Sequence, residues 1–396
     1  MQSHRPSPVF VWILGLLSML PPLAIDMYLP SFLDIAQDLQ VSQEKVQTTL
    51  AIFTLGFAVG QLFWGPIADS FGRKPIILLG LSGSAIAAFF LTKTATIENF
   101  YLWRLVQGLF AAAPAVVLGA LIRDLFERNQ FAKVMSTIMI ITMLAPLIAP
   151  ILGGYIAKWF HWHSIFYLLF IMGILCVTLV TLRIPETLKA ENKMPLNFRK
   201  VVANFIALMT HKPTLGYVLV GGLALAGMFS FLTSGSLVYI GLYDVSPEHF
   251  GYFFMLNIGV LIVMTFINGR LVGKVGSEKM LRIGLGIQVF AGIWLVIVGI
   301  FQLGLWAMAI GVALFVGMVS TINSNAAAAM LDRYPQMAGT ANALAGTARF
   351  GIGSLVGLII SHIPLTSERP MLFTMALCTF TALIAYYWLC CRSSNA

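Results

Sequence analysis

Residues 65–75 read Gly65-Pro66-Ile67-Ala68-Asp69-Ser70-Phe71-Gly72-Arg73-Lys74-Pro75 and lie between two long apolar runs, 46–64 and 75–92. Gly65 and Gly72 bracket what the pattern predicts to be a sharp turn. Asp69, Arg73 and Lys74 put charge where the flanks have almost none. A tight, charged turn between two hydrophobic spans is a helix-to-helix connection at a membrane face. From this stretch alone two readings stay open, a solvated turn or part of a gate.

Composition extends the membrane reading to the whole chain. Of 396 residues, 59% are hydrophobic and 10% charged, and the mean hydropathy is +0.89. A soluble domain carries about 25% charged residues, and a soluble core of this size could not hide so much apolar surface. Each span needs roughly 20 apolar residues. Continuous runs of that length suit helices, which satisfy their own backbone in lipid, rather than alternating barrel strands. Twelve segments fit, at 8–33, 46–68, 75–94, 98–122, 131–157, 162–184, 213–240, 247–271, 279–301, 304–331, 336–362 and 369–391. The expected fold is an all-α membrane protein of twelve transmembrane helices in two pseudo-symmetric six-helix bundles, 1–184 and 213–396, joined by a polar linker at 185–212.

The net charge of +9 is read as topology rather than nucleic-acid binding. Lys and Arg number 18 in the termini and the loops after even-numbered spans, against 4 in the other loops. That bias places both termini and the linker in the cytoplasm. The run from Val9 has no cleavage site after it and is expected to be a retained first span. Cys176, Cys378, Cys390 and Cys391 show no metal-ligand spacing and read as small apolar fillers, and no metal is expected.

The chain also repeats. Gly276, in Gly269–Ser277 (G-R-L-V-G-K-V-G-S), lies 204 residues after Gly72, and the same offset aligns Gly269 with Gly65 and Gly284 with Gly80. Gly273 stands where Asp69 does. Parallel repeats of this kind place a transporter's site near the midplane between the halves.

Ionisable groups inside spans mark functional sites by default. Asp26, in P-P-L-A-I-D-M-Y-L-P, is the one acid of fifteen placed inside a span, and loss of water favours the protonated form of any carboxylic acid. Alternatively span 1 ends early at Pro30 and Asp34, and Asp26 is interfacial. Arg104 is its natural partner. Asp26 lies eight residues before Asp34, about 12 Å of helix, and Arg104 five residues after Asn99, about 8 Å, so both sit at similar depth. An Arg snorkelling outward is the alternative, but Gln107 and Gly108 beside it suit close helix packing. Arg349 lies near mid-membrane with no acid in its own half. It faces an aqueous cavity, binds backbone carbonyls or meets an anionic substrate group, and the sequence does not choose. In span 5, Pro146, Pro150, Gly153 and Gly154 fall within L-A-P-L-I-A-P-I-L-G-G, which reads as an ordinary kinked span or, preferably, as a bend shaping a gate. Met27, Tyr28, Phe53, Phe57, Met143, Met228, Phe229, Phe231, Tyr239 and Phe254 are candidates for a repacking pocket lining, although core or lipid contact is the commoner role for each. Asn257, Asn323, Asn325 and Asn342 are intramembrane amides for substrate or for another helix.

These stretches resemble a known family. G-P-I-A-D-S-F-G-R-K-P is similar to the loop between helices 2 and 3 of the major facilitator superfamily. L-W-R-L-V-Q-G-L resembles its helix 4 motif, and A-P-I-L-G-G resembles the helix 5 motif of its drug:proton antiporters, with Ala149 where a Gly is usual. I-D-M-Y-L-P, R-D-L-F at 123–126, P-E-T-L at 185–188 and A-G-T-A-N-A-L-A-G-T at 338–347 look like the bicyclomycin-resistance (Bcr/CflA) subfamily. The resemblance implies that Asp26 is the protonated carboxylate and Arg104 the cation that tunes it. It implies that Asp69 caps the N-terminus of helix 11 when the cytoplasmic side is closed, with Arg73 and Asp124 completing the cluster. Gly65 and Gly72 are candidates for the same gate, and Gln107, Asn257 and Arg349 are candidates to line the cavity. The expected function is proton-coupled export of drug-like molecules across the bacterial inner membrane by alternating access, by a monomer whose partners are drug, protons and lipid, with no cofactor and no nucleic acid. Export of a small metabolite such as an amino acid is the alternative. No nucleophile–base pair, metal cluster or phosphate loop supports an enzyme.

Overall fold

The computed structural model describes residues 8–196, 198–333, 338–364 and 366–391. All regular elements among them are helical, and twelve helical stretches are long and apolar enough to cross a membrane. Span 1 begins with the helix Pro8–Asp26 and resumes as the short helix Phe32–Asp38. Span 2 is Gln43–Phe71, span 3 Arg73–Leu91, span 4 Ile97–Leu125, span 5 Arg128–Trp159 and span 6 His163–Arg183. Span 7 is Lys212–Ser236, running on as a π-helical turn to Leu242. Spans 8 to 11 are Pro247–Val275, Ser277–Phe301, Leu305–Arg333 and Ala338–Ser361, and span 12 is Arg369–Ala385, with a second π-helical turn to Cys391.

The spans fall where the apolar runs put them, and three differences are informative. Span 1 is not one helix. Its α-helix stops at Asp26, and Leu29–Ser31 form a 3-10 turn around Pro30 before the chain resumes, because a proline's missing N–H and fixed φ break the ladder there. Gly65 does not bracket a turn. Span 2 runs through Gly65 and Pro66 to Phe71, and the break is Gly72 alone, at φ 122°, a conformation open to glycine and strained for other residues. The linker is not merely polar, since it holds the helix Phe198–Thr210.

Two contact sets organise the packing. In the first six spans, span 4 packs on spans 2 and 3, span 1 on span 5, and span 3 on span 6; in the last six, span 7 packs on spans 10, 11 and 12 and span 9 on spans 10 and 12. Spans 2 with 11, and 5 with 8, carry the main contacts between the sets. Ile140, Ile171, Phe290 and Leu377 are among the many large apolar residues left exposed on the outside, as a lipid-facing belt requires. Call the face bearing the 185–212 connection the linker face and the other the far face.

Candidate functional site

Asp26 sits at the break in span 1. It is 4% exposed, and Met27, Tyr28 and Leu29 beside it are also buried. An interfacial carboxylate would be far more open. The break brings the chain against span 5, where a Cβ on Gly153 would collide with the Met27 carbonyl oxygen. The next residue, Gly154, faces the other way, and a Cβ there would lie 2.8 Å from the Pro247 carbonyl at the start of span 8. The Gly153–Gly154 pair thus lets span 5 lie against the Asp26 turn on one side and against the second half on the other. Pro146 and Pro150 lie within the same helix.

Arg104 is fully buried and makes no ion pair with Asp26. Its Nη1 donates to the Ala24 carbonyl at 3.1 Å and to Gln107 Oε1 at 2.7 Å, and its guanidinium lies over the Tyr28 and Phe53 rings at 4.4 and 4.3 Å. The physical reason is the helix end. The last carbonyls of a helix have no partner within it, and a cation is favoured there. Arg104 therefore closes the end of the helix that carries Asp26, through the backbone two residues away. Its Nε and Nη2 are buried without a hydrogen-bond partner among the described residues. Tyr28 is fixed by its hydroxyl contact with Thr49 at 3.0 Å.

From Arg104 a line of rings crosses to the second half. Phe53 stacks near Phe57 at 6.4 Å, Phe57 meets Phe350 edge-on at 4.7 Å, and Phe350 meets Phe229 at 6.0 Å. Tyr239 instead belongs to a separate cluster with Phe231, Phe250 and Phe253. Met143 and Met228 are half-buried. Asn257 is buried, and among the described residues both its amide atoms lack a partner, as do the Tyr239 hydroxyl, Thr233 Oγ1 and both amide atoms of Gln47. Each such group costs about 1–3 kcal/mol, so these are the polar atoms a bound solute could satisfy. Phe350, Gln47 and Thr233 escape sequence reasoning. Phe350 is one of 29 phenylalanines, and Gln47 and Thr233 carry no charge. Asn325 bonds to Asn268 at 2.7 Å, which makes it a helix–helix tie. Asn342's side chain lies outside the described residues.

Arg349 stands apart from this line. Its Nε donates to Ala345 O of its own helix at 3.1 Å, and it lines a small pocket with Tyr217, Gly221 and Asn323. Of the three readings left open, binding a backbone carbonyl is the one this arrangement displays.

At the linker face Arg73 is buried and bonded to two acids, Asp69 at 2.5 Å and Asp124 at 3.4 Å. Asp69 is itself 46% exposed by side chain. A further residue joins them. Glu186, from P-E-T-L, accepts from the Arg73 and Lys74 backbone N–H groups at 3.0 and 3.1 Å, so its carboxylate caps the N-terminus of span 3. Thr187 Oγ1 donates to Asp124 at 3.1 Å. The sequence signal was present, an acid directly after Pro185 at the end of span 6, but nothing tied it to residue 73. A cap by Asp69 on span 11 is not among these bonds, and residues 334–337 just before that span lie outside the described residues. A Cβ added at Gly65 would lie at an ordinary 3.5 Å from Val116.

The side-chain hydrogen bonds and ion pairs between the halves, among the described residues, cluster toward the far face. They include Lys158–Glu248 at 2.5 Å, Thr48–Ser361 at 2.9 Å and Ser354 to the Ala51 carbonyl at 2.7 Å. All four cysteines are free, three of them buried.

The sequence model of the Major Facilitator Superfamily matches residues 14–358. A bicyclomycin resistance protein homolog of Haemophilus influenzae is 52% identical over 99% of both chains. An uncharacterized MFS-type transporter of Bacillus subtilis is 32% identical over 98% of this chain and 97% of its own. Multidrug resistance protein D of Escherichia coli is 27% identical over 97% and 96%. The fold is also that of a D-xylose–proton symporter crystal structure, with a TM-score of 0.77 at 14% identity over 97% of this chain and 98% of that one. Twelve membrane helices in this arrangement, with matches along nearly the whole length, make the chain a multi-pass membrane transporter, not an enzyme, and a member of the major facilitator superfamily.

Proposed function

We propose that this transporter is a proton-coupled antiporter exporting drug-like molecules, bicyclomycin-type and other antimicrobials, across the bacterial inner membrane, with the linker face in the cytoplasm. The observation that carries the coupling is Asp26, a carboxyl enclosed by protein at a helix break, with no ion pair among the described residues. Protonated, it is neutral and compatible with that enclosure. Once it loses its proton, its charge sits two residues from the Ala24 carbonyl that Arg104 holds, and Arg104 Nε and Nη2 have no hydrogen-bond partner among the described residues. Attraction between Asp26 and Arg104 pulls on the helix end that Arg104 already grips through Ala24. Proton transfer at Asp26 therefore becomes a movement of span 1 against spans 4 and 5. The adjoining ring line, from Phe53 to Phe229, supplies an adaptable apolar surface between the halves.

The cross-half bonds toward the far face support reading this arrangement as the state closed to the outside. Acid outside protonates Asp26 when the far side opens, and release of that proton to the cytoplasm resets the cycle. The resemblance to drug-resistance relatives supports the substrate class. The unpartnered Asn257 and Gln47 amides favour a second reading, a small polar metabolite as cargo.

Expression in a host lacking its own exporters separates the two. A rise in resistance to antimicrobials with reduced accumulation of a lipophilic dye, both lost in Asp26→Asn, is expected. Full resistance in Asp26→Asn, or no change in any drug or dye while amino-acid efflux rises, overturns the reading.

A further inference from the structure

A cluster on the far face, outside the site above, is built from donors that hold transition metals. Asp38 ends the short helix that follows the break in span 1. His161 and His163 flank Trp162 in the connection between spans 5 and 6. The ligand atoms of the three side chains lie within 4.8 Å of one another. The two imidazoles turn their Nδ1 atoms toward each other at 2.6 Å, with the rings stacked at 4.7 Å between centroids. Trp162 between them is 1% exposed. Its indole N–H donates to Asp38 Oδ2 at 3.1 Å, and its ring stacks on His163 at 3.6 Å. One buried indole thus positions both the carboxylate and an imidazole, the kind of outer support that metal ligands normally have.

We propose that Asp38, His161 and His163 form a three-ligand site for a divalent transition ion of the Zn2+ class. Two imidazole nitrogens and one carboxylate oxygen are the donor set of open zinc sites, and imidazole selects such ions over Mg2+ or Ca2+. Zn–N bonds of about 2.0–2.1 Å put tetrahedral ligands about 3.3 Å apart. The imidazoles need only part slightly, and His161 and Asp38 are exposed while His163 is half-buried. Asp38 and His161 also line a cavity of about 600 Å³ together with Asp34, Lys158 and Glu248, which leaves room for a water as fourth ligand. Lys158 is engaged by Glu248 at 2.5 Å, which offsets its charge. All three ligands belong to the first half. A bound ion ties the outer end of span 1 to the span 5–6 connection and leaves the halves free to rock.

The test uses the full-length protein in detergent, purified on a tag without histidine, with Co2+ as a spectroscopic probe and Zn2+ as competitor. One equivalent of Co2+ with the visible absorption of a tetrahedral site, displaced by Zn2+, is expected. His161→Ala and His163→Ala each weaken binding at least about tenfold, and His362→Ala leaves it unchanged. Zn2+ raises the melting temperature of the wild type and not of the His161→Ala/His163→Ala double variant. Absence of saturable binding, or binding that survives the double variant at full strength, overturns the proposal.

Discussion

The turns at Gly72 and Gly276 repeat one backbone and differ in what surrounds it. Both glycines have positive φ, 122° and 89°, and both separate two helices without a further residue, Phe71 from Arg73 and Val275 from Ser277. Around Gly72 the space is full. A Cβ there would lie 2.5 Å from Glu186 Oε2, and Arg73 gathers Asp69 and Asp124 beside it. Around Gly276 a Cβ would meet nothing within 4 Å among the described residues. At the 204-residue offset, Gly273, Ser277 and Ala328 replace Asp69, Arg73 and Asp124. In the second copy Glu278 and Arg282 pair with each other at 3.1 Å and engage Tyr386 at the end of span 12. The backbone break is thus a requirement of the repeat, while the charged cluster belongs to one half. A two-fold scaffold carries a one-sided device.

Substitutions at matched positions can break that contrast. The largest effect is expected for Gly72→Ala, which adds backbone strain of about 1–3 kcal/mol and displaces the Glu186 cap. Gly276→Ala should feel the strain alone. Melting temperatures in detergent should fall further for the first, and equal falls would mean that Glu186 contributes nothing. Arg73→Ala comes next. It leaves two acids unpaired and should cut transport about tenfold or more, whereas Ser277→Ala should sit near wild type in the same efflux assay. Asp69→Ala should slow efflux with substrate affinity unchanged, and a normal rate would reduce the stretch to a solvated turn. Glu186→Gln removes the charge from a helix N-terminus, worth about 0.3–1 kcal/mol, and should lower the melting temperature only slightly. The smallest effect should come from Gly273→Asp. An acid there has no Arg73 counterpart to hold it, so efflux should not change.

The same pair shows what a sequence can carry. The spans were legible because uninterrupted apolar runs have few alternatives in lipid. Gly72 was legible as a turn and Gly65 was misleading, because a membrane helix absorbs Gly-Pro once its neighbours cover the backbone. Asp26 was legible by its cost. Its relation to Arg104 was legible only as shared depth. The side chain bonds a carbonyl freed by the Pro30 break, and rise per residue does not report which helix end has open acceptors. Glu186 sat in view but lies 113 residues from Arg73, and no periodicity connects a loop acid to a distant helix start. His161 and His163 are not legible as metal ligands, because the third donor, Asp38, lies 123 residues before His161.

The central claim is that Asp26 carries the proton that drives export. In proteoliposomes with the far face exposed to acid, the wild type should move a lipophilic dye against its gradient from the linker side. Asp26→Asn should bind the dye with an unchanged dissociation constant and fail to move it uphill. Uphill transport by Asp26→Asn at the wild-type rate would contradict the account.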